Sequence, residues 1–133
     1  MPVQWEGRYE TNETKIDQQH QQLFRMINDL EKKVQTGDFT NQSINEALKY
    51  LINYTRIHFT YEELCMFRYK CPVAQKNMDA HDAFTKALEG YKQTFDQEGA
   101  SQKLLTEIYD TASQWLIGHI CQIDTQLRPF LNQ

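Results

Sequence analysis

Four histidines occur in the chain, His20, His58, His81 and His119, and each falls on the apolar stripe of a different helix-periodic segment. The first segment runs from about Ile16 to Gln35, with Ile16, His20, Leu23, Ile27, Leu30 and Val34 spaced by threes and fours. Gly37 is its natural stop. The second runs from about Asn41 to Phe67, opened by Ser43 and Glu46 as a capping box, with Ile44, Leu48, Leu51, Thr55, His58, Glu62 and Met66 on one stripe. After Pro72 the third covers about Val73 to Asp96, with Val73, Asn77, His81, Phe84, Leu88, Tyr91 and Phe95 in register. A loop from Gln97 to Ser101 leads to the fourth, from about Gln102 to Leu127, which aligns Leu104, Ile108, Ala112, Trp115 and His119 and stops at Pro129. Strand signals are absent. The expectation is an all-α, up-down-up-down four-helix bundle with short connections. Residues 1–15 form an extended arm whose aromatics, Trp5 and Tyr9, pack on the bundle. Residues 16–128 are the bundle, and 1–133 is read as a single domain.

A lone histidine on an apolar face is ordinarily a hydrogen-bonded core residue. Four, one per helix, are hard to obtain by accident, and metal ligation accounts for them together, because imidazole suits iron, zinc, copper and nickel. His58 and Glu62 form H-x-x-x-E, a step of about 6 Å along one helix face. A glutamate on that stripe is costly to bury unless paired or metal-bound. Glu63 points about 100° away and is read as solvated. Asp124 follows His119 by five residues, and an ideal helix sets it about 140° around, so spacing alone does not select it.

Charge and composition narrow the function. The formal net charge is -4, and the 14 Lys and Arg residues form no basic block, which argues against nucleic acid. No apolar run approaches a membrane span, and the N-terminus lacks a signal-peptide pattern, so the reading is cytoplasmic and without membrane partners. Cys65, Cys71 and Cys121 are odd in number and lack C-x-x-C, and read as free thiols; redox sensing by Cys71 is the functional alternative.

The stretches Ile16-Asp17-Gln18-Gln19-His20, His58-Phe59-Thr60-Tyr61-Glu62-Glu63 with Met66 and Pro72, His81, and Trp115-Leu116-Ile117-Gly118-His119-Ile120 ending in Asp124 resemble the hemerythrin family, and within it the bacterial hemerythrin-like domains. The resemblance covers essentially the whole chain. It implies two non-haem iron ions with a bridging oxygen species. His20, His58, His81 and His119 are then the terminal ligands, and Glu62 and Asp124 the bridging carboxylates. It further implies dioxygen or small anions as partners of the iron, taken up with one electron from each iron(II). Phe59 and Leu116 match the apolar lining of the dioxygen pocket, and Trp115 a core aromatic.

One departure stands out. The family pattern has a histidine four residues before His81, where this chain has Asn77. Its loss implies two histidines per iron, His20 with His58 and His81 with His119. Water, a small anion or a weakly held amide then takes the remaining position. That predicts rapid oxidation of the diferrous state, and oxygen or redox sensing rather than an enzyme. A signalling domain beyond Gln133 in a longer protein would fit this role. The alternatives are a di-iron enzyme reducing dioxygen, peroxide or nitric oxide, for which Tyr54, Tyr61 and Cys65 are the nearest proton donors by register, and a simple oxygen-storage protein.

Overall fold

A computed structural model describes residues 2–131; Met1, Asn132 and Gln133, at the limits of the single-domain reading, lie outside the described residues. Four long helices, α1 (Thr14–Thr36), α2 (Asn41–Arg68), α3 (Ala74–Glu98) and α4 (Gln102–Gln122), form an up-down-up-down bundle. Each helix packs mainly on its two neighbours round the ring, α1 and α3 each lying between α2 and α4. A 3₁₀ turn at Gly7–Tyr9 precedes the bundle and a 3₁₀ segment at Asp124–Phe130 follows it.

The helix ends follow local chemistry. Glu13 caps α1 through a 2.6 Å bond from the Ile16 amide. Gly37, at φ 72°, closes it by donating its amide to Lys33 and Val34 carbonyls, the left-handed cap that glycine adopts without steric cost. The capping residue of α2 is Thr40 rather than Ser43: its hydroxyl accepts the Ser43 amide at 3.1 Å. Ser43 lies inside the first turn and its hydroxyl donates to Asp38 at 2.9 Å, so it forms no capping box with Glu46. The fourth helix stops at Gln122, five residues short of the expected Leu127, and its chain continues as 3₁₀ through Pro129.

Packing divides the interior into layers. The larger apolar layer gathers Leu23, Ile27, Leu48, Leu51, Phe84, Leu88, Leu105, Ile108 and Leu116. A smaller one gathers Ile16, Met66, Cys71, Ala74, Ile123 and Leu127. Along α1, His20 lies between Ile16 of the small layer and Leu23 of the large one, and the other helices repeat this order. The histidines therefore occupy a polar slab sealed on both sides by hydrocarbon.

The N-terminal arm is extended apart from its 3₁₀ turn, and it is fastened at several points. Asn28 accepts the Val3 amide at 2.8 Å and donates to the Val3 carbonyl at 3.0 Å. Trp5 and Tyr9 pack edge-on against Phe24 at 5.4 and 5.0 Å between centroids. Arg128, beyond α4, donates to the carbonyls of Gly7, Arg8 and Glu10. Both aromatics thus cover the bundle as the sequence suggested. Loss of the Thr40 cap in Thr40→Ala should lower stability by about 1 kcal/mol, read as a drop in urea midpoint with unchanged slope; an unchanged midpoint would show that the cap contributes nothing.

Candidate metal centre

The bundle supplies the site one side chain at a time. His20 comes from α1, His58 and Glu62 from α2, Asn77 and His81 from α3, His119 from α4, and Asp124 from the segment that follows. All seven are buried. Two groups of potential ligands emerge, His20, His58, Glu62 and Asp124, and Glu62, His81, His119 and Asp124; within each, one donor atom per residue lies within 4.8 Å of every other. The groups share both carboxylates. They are two adjacent candidate sites with Glu62 and Asp124 common to both.

Every histidine turns Nε2 inward. His20 Nε2 is 3.0 Å from Glu62 Oε2 and 3.1 Å from Asp124 Oδ2. His58 Nε2 is 3.3 Å from Glu62 Oε2, His81 Nε2 3.1 Å from Glu62 Oε1, and His119 Nε2 3.0 Å from Asp124 Oδ1. With metal–ligand bonds of about 2.1 Å, neighbouring ligand atoms of an octahedral ion sit about 3.0 Å apart. The donor atoms already have that spacing.

Asp124 reaches the site because α4 ends. Ile123 departs from regular helix, at φ -118° and ψ -55°, and its amide still closes on the His119 carbonyl at 2.8 Å. The 3₁₀ winding that begins at Asp124 changes the residue's direction, which removes the 140° conflict of a continuous helix. Asp124 is 1% exposed.

Two residues not expected at the site, Gln19 and Glu63, hold the rings from behind. Gln19 Oε1 is 2.7 Å from His58 Nδ1, and Glu63 Oε2 is 2.9 Å from His81 Nδ1. Glu63 is therefore a hydrogen-bond partner of His81 rather than the solvated carboxylate expected. At His58, whose pKa burial lowers, a proton on Nδ1 leaves the Nε2 lone pair facing the Glu62 carboxylate, a repulsive arrangement unless a cation lies between them. Helical periodicity could not flag either residue, since each adjoins a site residue and lies about 100° round the helix from it.

Several buried atoms lack hydrogen-bond partners: His20 Nδ1, Asn77 Nδ2, Glu62 Oε1 and both Asp124 oxygens. Three of these are carboxylate oxygens in a dry interior, where an unmet charge is costly. Metal ions would meet them, and the nitrogen and oxygen donor set fits iron. Burial alone would lower the His20 pKa, yet the facing Asp124 and Glu62 push it up to about 10. The same opposition, with Glu62 and Glu63 outweighing burial, takes His81 to about 9. At His58 burial wins and the pKa falls. Burial would raise Glu62, but the surrounding His58, His20 and His81 rings hold it well below the usual carboxylate range.

Aromatic rings wall the site. Phe59 lies flat on His81, centroids 3.8 Å apart, and Trp115 on His119 at 4.5 Å. Leu116 belongs to the large apolar layer. Tyr61 donates its hydroxyl to Glu13 at 2.9 Å rather than to a residue of the centre. Asn77, the residue in place of the family's histidine, sits inside the cluster with Oδ1 2.7 Å from His119 Nε2.

A helical bundle enclosing two sets of histidines that share two carboxylates has the makings of a cation-binding domain. The family model described as the hemerythrin HHE cation binding domain matches residues 11–131, and the chain belongs to the hemerythrin family. It is 29% identical over 122 residues to a bacteriohemerythrin of Stenotrophomonas maltophilia, covering 89% of this chain and 76% of that one. It is 27% identical over 119 residues to a myohemerythrin of Theromyzon tessulatum, covering 90% and 85%. A crystal structure of wild-type hemerythrin superposes over 100% of both chains with a TM-score of 0.82 at 26% identity.

Metal binding should displace protons. Above its unfolded value near 6.5, the metal-free His20 keeps its proton until pH passes about 10, and His81 until about 9. Loading a divalent metal at about pH 8 should therefore release about two protons per chain, and affinity should weaken as pH falls. Calorimetry in two buffers of different ionisation enthalpy measures the release; none would mean that these rings do not bind the metal.

Proposed function

We propose that the centre holds two non-haem iron ions and binds dioxygen. His20 and His58 hold one ion, His81 and His119 the other, and Glu62 and Asp124 bridge them together with a solvent-derived oxygen. The observation that carries this reading is the sharing of both carboxylates by two otherwise separate histidine pairs. Membership of a cation-binding family supports it, and so do relatives named as hemerythrins. The bound iron pair supplies the electrons for dioxygen uptake. The protein's own residues do the rest. Gln19 and Glu63 fix two rings so that Nε2 faces the metal. Phe59, Trp115 and Leu116 keep water from the dioxygen side. Because the six ligands come from all four helices and the segment after α4, we take the chain as one domain.

Asn77 directs the reading toward sensing. An amide oxygen is a weaker ligand for iron than imidazole, so the iron of His81 and His119 is less shielded from solvent and small anions than it would be with a histidine at position 77. Rapid oxidation in air follows, which suits an oxygen- or redox-responsive domain better than a store.

Iron analysis of protein expressed with ample iron should give two ions per chain, with an optical spectrum that changes on anaerobic reduction and again in air. One ion per chain, or zinc throughout, would sink the di-iron reading. Glu62→Ala should abolish assembly of the pair while the bundle stays helical, since helix packing rests on the apolar layers; unchanged iron content would remove Glu62 from the site. Asn77→His should slow air oxidation at matched iron loading and reduce azide binding. Its side chain lies one turn from His81 on the same face, within reach of the same ion. Equal or faster oxidation in this variant would defeat the sensing account and leave the iron site intact.

A further inference from the structure

The large hydrophobic residues that stay exposed among the described residues all lie on one helix: Tyr50 at 53%, Ile57 at 62%, Leu64 at 65% and Phe67 at 53%. Isolated exposed apolar side chains are ordinary, but a continuous stripe of them is not. Tyr50, Ile57 and Leu64 recur every seven residues along α2, Ile57 and Leu64 outward and Tyr50 on the flank toward α1. Asn53 and Thr60 between them, and Phe67 one turn beyond Leu64, repeat the seven-residue spacing and are also exposed. A repeat of seven keeps one face turned toward a neighbouring helix, so the shape that fits this stripe is another helix.

Charges along the stripe indicate which helix. Glu46 precedes Ile57 by eleven positions and Arg68 follows it by eleven, both exposed and both close to the direction of Ile57. Tyr50 and Leu64 are likewise equidistant from Ile57. These pairs make the face complementary to itself when reversed, with Arg56, exposed beside the axis, the one like-charge meeting. Two antiparallel copies would place Ile57 against Ile57, Tyr50 against Leu64 and Glu46 against Arg68. Parallel copies would oppose Glu46 to Glu46 and Arg68 to Arg68. The four apolar side chains are each more than half exposed and span about 25 Å of helix, the length of a short coiled-coil contact. Tyr50 is already held, accepting a hydrogen bond from Gln22 at 3.2 Å and stacking on Tyr54.

The geometry points to a homodimer in which α2 packs antiparallel on α2 of a second copy, about a two-fold axis at Ile57. The contact is isologous, so it closes at two copies. It also places the two metal centres on either side of one shared helix pair, because His58 and Glu62 stand on the inner face of α2.

Sedimentation equilibrium of the iron-loaded full chain, from about 1 μM to about 1 mM, should show a reversible monomer–dimer equilibrium. Ile57→Glu sets like charges face to face on the axis and should weaken the dimer at least about tenfold, with iron content and helicity unchanged. Leu64→Lys should do the same and serves if Ile57→Glu perturbs folding. Glu46→Arg should weaken association, and adding Arg68→Glu should restore it. A monomer throughout the range would overturn the proposal and leave the face to a different protein's helix. A dimer of full strength in both apolar variants would also overturn it, and failure of the charge reversal to restore association would overturn the antiparallel register.

Discussion

Everything in this molecule is arranged around two buried carboxylates. Glu62 and Asp124 each face imidazoles from more than one helix, and their oxygens are nearly all deprived of water and of conventional hydrogen bonds. A bundle could reach lower energy by filling that slab with leucine. It carries the polar cluster instead, sealed between two apolar layers, so the interior is built to hold cations rather than to maximise its own stability. The layers on either side do the folding. The slab does the chemistry.

The cluster also explains features that look peripheral. Ending α4 at Gln122 turns Asp124 inward, and the chain beyond it is then fastened by Arg128 to the carbonyls of Gly7, Arg8 and Glu10. The arm so held places Trp5 within 6.4 Å of the His20 ring. The closure at the end of the bundle is thus one connected unit, running from Asp124 through a 3₁₀ segment to an aromatic lid. Behind the rings, the two sites differ: the amide of Gln19 supports His58, whereas the carboxylate of Glu63 supports His81. A charged acceptor raises the basicity of its imidazole more than a neutral one. The site that carries Asn77 in place of a histidine is the one in which His81 is backed by charge, so a weaker donor and a stronger one lie side by side.

Much of the fold was legible because helix formation and burial repeat with a short period. Apolar residues at threes and fours located all four helices and put His20, His58, Glu62, His81 and His119 on their inner stripes. Gly37 marked a boundary by its conformational freedom. The errors fell where the period stops being informative. Ser43 and Thr40 are both competent caps, and which one caps depends on the path of the loop before α2. Glu63 stands next to Glu62, and periodicity assigns it to solvent, but α3 passes close enough for His81 to reach it.

By itself the sequence determined the class of fold and the inward face of each helix, because these depend on residues near one another in the chain. It also placed the Asn77 departure, through the fixed spacing to His81. The family resemblance implied that the four histidines divide into two pairs sharing both carboxylates; spacing alone did not, and only the tertiary structure showed Asp124 turned in among them. Those facts depend on distances between helices and on where α4 unwinds. An ideal helix carries the aspartate away from the site, and the break at Ile123, stabilised by packing of the following 3₁₀ segment, brings it back.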